Sequence, residues 1–252
     1  MKHIIKTHCY IGTSNIVLPV PNKASFPEAY REKSRLCYYA SLFNSLEVNS
    51  SFYKIPKPAT VARWITEVPE DFLFTFKLWR GITHAKELQY DKEDIRSFLQ
   101  SVNEAGTKKG CLLVQFPGSI RYSLFRQVRA LMDHLIEATE TQPWRIAVEF
   151  RDRSWYNNDA FEWLRQLPRT TLVQHDMPAS GISVMETAGS FLFLRFHGEK
   201  GDYRGSYPDP VLEEYAEFLK EAINAGKMVF AYFNNTIGDA VHNAMKMQRL
   251  CQ

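Results

Sequence analysis

Charged and polar side chains occur two residues apart inside several short apolar runs of this chain. The clearest pairs are Glu47 with Asn49, Glu149 with Arg151, and Arg195 with His197. Side chains of a β-strand alternate between its two faces, so the members of each pair share one face of the strand. A buried parallel strand is normally apolar on both faces, and a polar face therefore indicates a functional site or, as the alternative, a structural network of buried ion pairs.

Further polar residues end other runs of the same kind. Three cations, Lys77, Arg151 and Arg195, together suit an anionic ligand, because a guanidinium binds phosphate or carboxylate through two hydrogen bonds. We therefore predict a site for a phosphorylated or carboxylated small molecule. The predicted binding residues are Asn49, Lys77, Gln115, Arg151, His175, Asp176, Arg195, Asn234 and Asn235.

Proton transfer at such a site needs carboxyl or imidazole groups. Glu47 and Glu149 are the predicted general acid or base, and His197 is a predicted second proton carrier. The two glutamates also match in type the paired carboxylates of a glycosidase. Their separation decides whether that reading holds, and it does not follow from the sequence.

A divalent metal is a competing use of the acidic and histidine side chains. Its candidate ligands are Glu47, Glu149, His175, Asp176 and His197. No HExxH or similarly spaced pair occurs, and the lysine and arginines of the same site repel a cation. We therefore predict no metal ligand, and the sequence identifies no cofactor.

The polar residues lie in short runs that are rich in Val, Ile, Leu and Phe, as buried parallel strands are. Eight such runs are Tyr10–Ser14, Leu46–Ser51, Phe72–Lys77, Cys111–Phe116, Arg145–Arg151, Thr171–Asp176, Phe191–His197 and Met228–Asn235. Strands that alternate with helices form either a closed barrel or an open doubly wound sheet. The strand number, the length of 252 residues and the absence of a Gly-rich phosphate loop favour the barrel.

We therefore predict a single α/β domain over 1–252, a TIM-type (β/α)₈ barrel with its site at the C-terminal ends of the strands. Helical patterns lie between most of the strands, and the connection Met177–Ser190 has a short helix or none, because it contains Pro178, Gly181 and Gly189. The predicted helices are Pro27–Leu42, Pro58–Glu67, Lys92–Ala105, Tyr122–Thr139, Asp159–Gln166, Asp209–Ala225 and Gly238–Leu250.

Composition restricts the environment and the partners. A net charge of +3 without a basic run gives little support to nucleic-acid binding. The four cysteines show no metal-type spacing. No signal peptide is recognisable and no run of about 18 apolar residues occurs, so we expect a cytoplasmic protein that does not bind membranes. The oligomeric state stays open.

Several motifs resemble those of one known family. Glu47-Val48-Asn49-Ser50-Ser51-Phe52-Tyr53 is similar to a signature of the domain-of-unknown-function-72 (YecE-like) family, and further matches follow in order along nearly the whole chain. These are Gln115-Phe116-Pro117, Glu149-Phe150-Arg151, Arg195-Phe196-His197-Gly198 and Phe233-Asn234-Asn235-Thr236. The resemblance implies a TIM-barrel fold and no established activity. The segment after Ser14 departs from the family pattern, because neither of its tryptophans is present.

Three readings of function follow. The first is an enzyme, a hydrolase or a lyase, that acts on an anionic small molecule at the mouth of the barrel. The second is a nucleic-acid phosphodiester enzyme or binder, which salt-sensitive DNA binding would support. The third is a non-catalytic protein that binds a metabolite in the same place. Glycoside hydrolysis ranks behind all three.

Overall fold

The computed structural model describes residues 8–178 and 189–252. Within these residues every strand of the two sheets pairs with its neighbours in parallel. The strands are β1 Cys9–Thr13, β2 Ser45–Val48, β3 Leu73–Lys77, β4 Lys109–Phe116, β5 Arg145–Phe150, β6 Thr170–Leu172, β7 Gln174–His175, β8 Phe191–Phe196 and β9 Met228–Phe233.

The two sheets join into a closed barrel. One has the order β1-β9-β8-β7 and the other the order β2-β3-β4-β5-β6. Ser14 pairs with Glu47 in a parallel bridge that connects β1 to β2. At the other junction β6 and β7 follow each other in the chain across Val173, whose N–H donates to the carbonyl of Val148 at 2.8 Å. Counting β6 and β7 as one interrupted strand gives the eight strands of a TIM-type barrel, which confirms the predicted fold.

The interior of the barrel is layered. Its lower part is apolar and consists of alternate strand residues such as Leu73, Leu113, Phe193 and Phe230. Above them the hydroxyl of Tyr232 meets the hydroxyls of Ser45, at 2.5 Å, and Thr75, at 2.8 Å. The next inward positions along the strands are the polar residues that the alternation predicts, so they lie at the C-terminal end of the barrel.

The helices cover the outside of the barrel and bury its larger apolar core. They are α1 Arg35–Tyr39, α2 Ser50–Tyr53, α3 Pro58–Thr66, α4 Arg80–Thr83, α5 Lys92–Val102, α6 Phe125–Ala138, α7 Asn158–Gln166, α8 Asp209–Asn224 and α9 Ala240–Leu250. None of the helices that the structure describes is long and apolar enough to cross a membrane.

The predicted helix Pro27–Leu42 is the main error in the expected elements. The structure has a single 3-10 turn at Glu28–Tyr30 and then α1, which begins only after the Ser34 cap. Ser34 has extended backbone, and its hydroxyl accepts from the N–H of Cys37 at 3.0 Å. The segment before this cap is exposed, so it has no apolar face that a continuous helix would bury.

The other differences are at the ends of elements. The helix predicted to Ala105 ends at Val102 and continues as a 3-10 segment over Asn103–Lys108. The second predicted strand ends at Val48, because α2 begins at Ser50. The connection predicted to carry little helix lies largely outside the described residues, which omit 179–188.

Candidate functional site

Arg195 lies at the centre of the polar layer at the top of the barrel. It is 1% exposed, and it comes from the end of β8. Its Nε and Nη2 donate to Glu47 Oε2 at 2.9 Å and Oε1 at 2.7 Å. Ser14 Oγ also donates to Glu47 Oε1, at 2.5 Å. Both oxygens of this buried carboxylate are therefore occupied by donors of the protein itself.

Glu149 is the second carboxylate on this arginine. Arg195 Nη1 donates to its Oε2 at 2.7 Å, and Arg151 Nε forms an ion pair with its Oε1. Burial opposes the charged form of Glu149, but Arg151 and Arg195 outweigh it and hold the pKa of the carboxyl well below its usual range. The same two glutamates outweigh burial at Arg195 and raise its pKa. Glu149 and Arg195 therefore stay ionised throughout the neutral pH range.

His197 connects the arginines to Asp176. Its Nε2 accepts from Arg151 Nη2 at 2.9 Å and from Arg195 Nη1 at 3.2 Å. Its Nδ1 lies 3.2 Å from Asp176 Oδ1. Burial lowers the pKa of His197 to about 3, and the neighbouring guanidiniums add to this effect against the opposing bond to Asp176. The imidazole is therefore neutral, with its proton on Nδ1.

Asp176 extends this network outwards. It accepts from the backbone N–H of His197 at 2.7 Å and from the hydroxyl of Tyr207. Tyr207 in turn accepts from the N–H of Gly198 at 2.6 Å. Burial and the negative charge of Asp176 raise the pKa of this tyrosine. Asp176 thus fixes the position of the loop that follows β8, as well as the ring of His197.

His175 lies beside the network. Its ring meets that of His197 edge to face, with 5.7 Å between centroids. Its Nδ1 accepts from the N–H of Met177 at 3.3 Å, and its Nε2 lies 3.2 Å from the carbonyl of Phe150 and 3.1 Å from the hydroxyl of Tyr156. Burial lowers the pKa of His175. This histidine is also neutral at pH 7.

Lys77 has different surroundings. It is half-buried at the end of β3, on the inner face that Leu73 and Thr75 share. Its Nζ lies 4.1 Å from the centre of the Phe52 ring. Among the described residues no carboxylate lies within ion-pair distance of this amine. Burial and the positive charge of Arg195 lower the pKa of Lys77 to about 7.

Amide side chains complete the strand ends. Asn49 follows Val48, the last residue of β2, which pairs with Phe76 of β3; the backbone of Asn49 is already helical and begins the turn into α2. The Oδ1 atom of Asn49 is buried and accepts no hydrogen bond from the residues that the structure describes. Gln115 follows on the inner face of β4 as the register partner of Glu149, and Asn234 follows the end of β9. These amides remain available to a ligand.

The structure thus brings most of the predicted site residues to one end of the barrel. Asn235 has another role, because its amide donates to the carbonyl of Gly205 at 3.0 Å and to Asn243 at 2.9 Å. No three of the described histidine, cysteine and acidic side chains are arranged to hold a metal ion. Glu47 and Glu149 are each bound by a guanidinium, which leaves them poorly suited to a cation.

A match to a family model shows to which protein family the chain belongs. The family model "Protein of unknown function DUF72" matches residues 10–252. The chain belongs to the DUF72 family. This DUF72 chain is 26% identical to the UPF0759 protein YunF of Bacillus subtilis, over 89% of each chain. It is also 32% identical to the UPF0759 protein YecE of Escherichia coli K12, over 32% of this chain and 30% of that protein.

Solved structures share the fold of this DUF72 barrel. A DUF72 family protein of Enterococcus faecalis superposes with a TM-score of 0.78 at 23% identity, over 96% of this chain and 95% of the other. A DUF72 family protein of Thermotoga maritima gives 0.71 at 25% identity, over 96% and 98% of the two chains. A xylose isomerase-like TIM barrel fusion protein gives 0.54 at 14% identity, over 96% of this chain and 42% of that one.

Four side chains of the DUF72 site are not among the predicted site residues. They are Ser14, Phe52, Tyr156 and Tyr207. The alternation of β1 carries a signal for Ser14, because Tyr10 and Gly12 share its inner face. Phe52 belongs to the family signature that runs from Glu47 to Tyr53, although that segment does not indicate its contact with Lys77. No local pattern identifies Tyr156 and Tyr207, because both lie on loops whose path depends on the whole fold.

Proposed function

We propose that this DUF72 barrel binds a small anionic molecule, phosphorylated or carboxylated, at its C-terminal mouth and acts on it as a hydrolase or lyase. One observation supports the proposal above the others. The two arginines are matched by Glu47 and Glu149, whereas the amine of Lys77 has no acidic partner among the described residues. A half-buried ammonium without a counter-ion is unfavourable, and an anionic ligand supplies that counter-ion.

The side chains around Lys77 support a polar ligand. Arg151 is 13% exposed and lies close enough to Lys77 for its charge to lower the amine's pKa. Asn49 follows β2 and Gln115 lies on β4, the two strands that flank β3. A phosphate or carboxylate between Arg151 and Lys77 would receive two cations and neighbouring amide donors.

The network around Arg195 supports a positioning role for three of the predicted catalytic and binding residues. Glu149 and His197 are each held in one protonation state at neutral pH, and Glu47 accepts from both Arg195 and Ser14. A group fixed in one state is a poor proton carrier. We propose that these three residues hold Arg195 and Arg151 in place and that Lys77 is the reactive group of the site.

We assign the protein to the cytoplasm on the basis of its cysteines. All four are free thiols, and Cys111 is buried inside the barrel. This usage is typical of proteins from a reducing compartment.

Isothermal calorimetry with a ligand panel tests the proposal. The panel holds inorganic phosphate, phosphoesters, dicarboxylates, neutral sugars and short oligonucleotides. We expect phosphate or carboxylate compounds to bind the native protein and to lose at least about tenfold in affinity in Lys77→Met, as expected for removing one charge-assisted contact.

Lys109→Met is the matched control. The Nζ of Lys109 also lies over an aromatic ring, at 5.3 Å from Trp144, but this lysine begins β4 at the opposite end of the barrel. Its substitution should leave ligand affinity unchanged. Equal losses in both variants, or binding only of neutral sugars, would reject the anion site. Salt-sensitive binding of the oligonucleotides alone would support the nucleic-acid reading, and binding without turnover would support a non-catalytic metabolite-binding protein.

A further inference from the structure

The amine of Lys77 is placed as a nucleophile would be. Its side chain extends inwards from the C-terminal end of a barrel strand, where TIM-barrel enzymes carry their reactive groups. Its nearest described partner is the face of Phe52, at 4.1 Å. The ring is not an anionic acceptor as a carboxylate is, so no described acidic partner holds Lys77 in its ammonium form.

Burial is the largest influence that favours the neutral form of Lys77. Arg195 and Arg151 also repel a positive charge there, against the opposing attraction of Glu149 and Glu47, which form ion pairs with the two arginines. His84 packs edge to face against Phe52, the ring that Lys77 contacts, with 4.8 Å between the two ring centroids. Burial and the positive charge of Lys77 lower the pKa of this histidine to about 4, so it is neutral at pH 7 and adds no further positive charge.

An amine in this state is reactive. A pKa of about 7 leaves roughly half of the Lys77 side chains unprotonated at neutral pH, against about four in ten thousand for an ordinary lysine. Desolvation and neighbouring cations are the two means by which enzymes activate lysine for attack on a carbonyl carbon. Both act on Lys77.

We propose that Lys77 forms an iminium bond with the carbonyl carbon of a small anionic aldehyde or ketone, such as a 2-oxo acid or a sugar phosphate. This inference rests on the proposed function, because it places the anionic group of the same ligand beside Arg151. It narrows the substrate class from anions in general to anions that carry a carbonyl group. It also favours a lyase over a hydrolase, since an iminium withdraws electrons from an adjacent carbon–carbon bond.

The chemical step balances without a further reagent. The neutral amine attacks the carbonyl carbon, and the carbonyl π electrons move to the oxygen, which is protonated to give a carbinolamine. The nitrogen lone pair then forms the C=N bond as the hydroxyl leaves with a proton as water. One amine, one carbonyl group and one proton thus give one iminium, which keeps a single N–H, and one water.

The buried Oδ1 of Asn49 fits this step. Asn49 follows the end of β2, the strand that pairs with β3, and its Oδ1 accepts no hydrogen bond from the described residues. The carbinolamine hydroxyl and the iminium N–H can each donate a hydrogen bond to this oxygen. Substitution by Asp would place a negative charge there and favour the ammonium form of Lys77, so Asn49→Asp should slow iminium formation at neutral pH.

Reductive trapping tests the proposal. The native protein is incubated with glyoxylate, an anionic aldehyde, and sodium cyanoborohydride, and the modified lysines are mapped and quantified by peptide mass spectrometry. We expect Lys77 to react at least about tenfold faster at pH 7 than the other lysines, because far more of it is unprotonated. Its rate should rise with pH along a curve with a midpoint near 7.

Two variants sharpen the test. Lys77→Arg should lose the fast site, whereas Lys109→Arg should keep it, although burial also lowers the pKa of Lys109. The comparison among lysines within the native protein needs no variant, so it stands even if Lys77→Arg fails to fold. Trapping spread evenly over the lysines would overturn the proposal.

The two proposals fail in distinguishable ways. Glycolaldehyde serves as a neutral aldehyde, and inorganic phosphate as an anion without a carbonyl group. If phosphate binds by calorimetry but Lys77 is not trapped, the iminium is rejected and the anion site stands. If both aldehydes trap Lys77 equally and phosphate gives no protection, the nucleophile stands and the anion site is rejected. Faster trapping by glyoxylate, with protection by phosphate, supports both.

Discussion

Arg195 is nearly inaccessible to solvent, and its guanidinium faces Glu47, Glu149 and His197 at once. Transfer of three ionised groups from water into a protein interior is unfavourable unless nearly every charge and hydrogen bond is matched. The match is close here, because Ser14 donates a hydrogen bond to Glu47 and Arg151 forms an ion pair with Glu149. Removal of one member therefore leaves a buried charge without a partner.

We predict that Arg195→Met lowers the free energy of unfolding by roughly 3–5 kcal/mol, as expected for breaking a buried ion pair from one side. Urea denaturation followed by circular dichroism measures the change. The triple variant Arg195→Met, Glu47→Gln, Glu149→Gln should recover a substantial part of the loss, because it removes the stranded charges as well. A single-variant loss below about 1 kcal/mol, the range of exposed ion pairs, would contradict this reading of the network.

At the scale of elements, the strands were predictable and the pairing of their polar ends was not. Each predicted strand overlaps a strand of the barrel, because a strand buried on both faces needs an apolar run. The shared face of Glu149 and Arg151 also follows from alternation. The ion pair between Glu47 and Arg195 joins residues 148 positions apart, and only closure of the barrel brings them together.

The same limit applies to the site. Sequence gives the type of Arg195 and Lys77 but not which of the two has an acidic partner, and both were predicted to bind a ligand. Helix Pro27–Leu42 was wrong because a Pro-Glu start is a local signal, whereas a helix persists only where it can bury an apolar face. A short window of sequence shows neither the acidic partner of a side chain nor the surface against which a helix packs.

Closure of the barrel depends on a close contact between β1 and β2 at Gly12. A Cβ atom added to Gly12 would lie 2.1 Å from the carbonyl oxygen of Ser45 and 2.7 Å from the hydroxyl of Tyr39. Ser45 and Tyr39 are both buried, so neither can move freely. The Tyr39 hydroxyl also accepts from the N–H of Thr13 at 2.7 Å, which ties β1 to this contact.

We predict that Gly12→Ala lowers the free energy of unfolding by about 1–3 kcal/mol or more, the usual effect of overpacking a rigid site. Gly118→Ala is the matched control, because nothing lies within 4 Å of a Cβ atom at Gly118. It should change stability by less than about 0.5 kcal/mol, as an exposed substitution does. Thermal or urea unfolding of the two variants compares them directly, and equal stability would show that β1 and β2 are not held by this contact.

At the scale of the whole molecule, one end of the barrel holds two arginines whose charges are balanced by two glutamates. The same end holds the amine of Lys77, which has no acidic partner among the described residues. The balanced part, Arg195 and Arg151 with Glu47 and Glu149, contributes no net charge. Lys77 is charged below a pH of about 7 and neutral above it. Anion affinity should therefore fall as pH rises through this value, because the attracting charge is lost.

Linkage makes the effect reciprocal. If protonated Lys77 favours an anion, the bound anion must favour protonated Lys77 and raise its pKa. Burial and Arg195 lower this pKa in the free protein, and a ligand between Lys77 and Arg151 opposes both. The ionisation of one amine therefore reports on occupancy of the mouth.

The most direct test is an NMR titration of the lysine Cε signals in protein labelled with ¹³C-lysine, with Lys77→Arg used for assignment. We predict one signal, absent from the variant, whose midpoint lies near pH 7 in the free protein and rises when inorganic phosphate is added. A Lys77 midpoint in the ordinary lysine range, about 10.4, would contradict the account of an unpaired, desolvated amine. A midpoint near 7 that phosphate does not move would contradict the anion site at the barrel mouth.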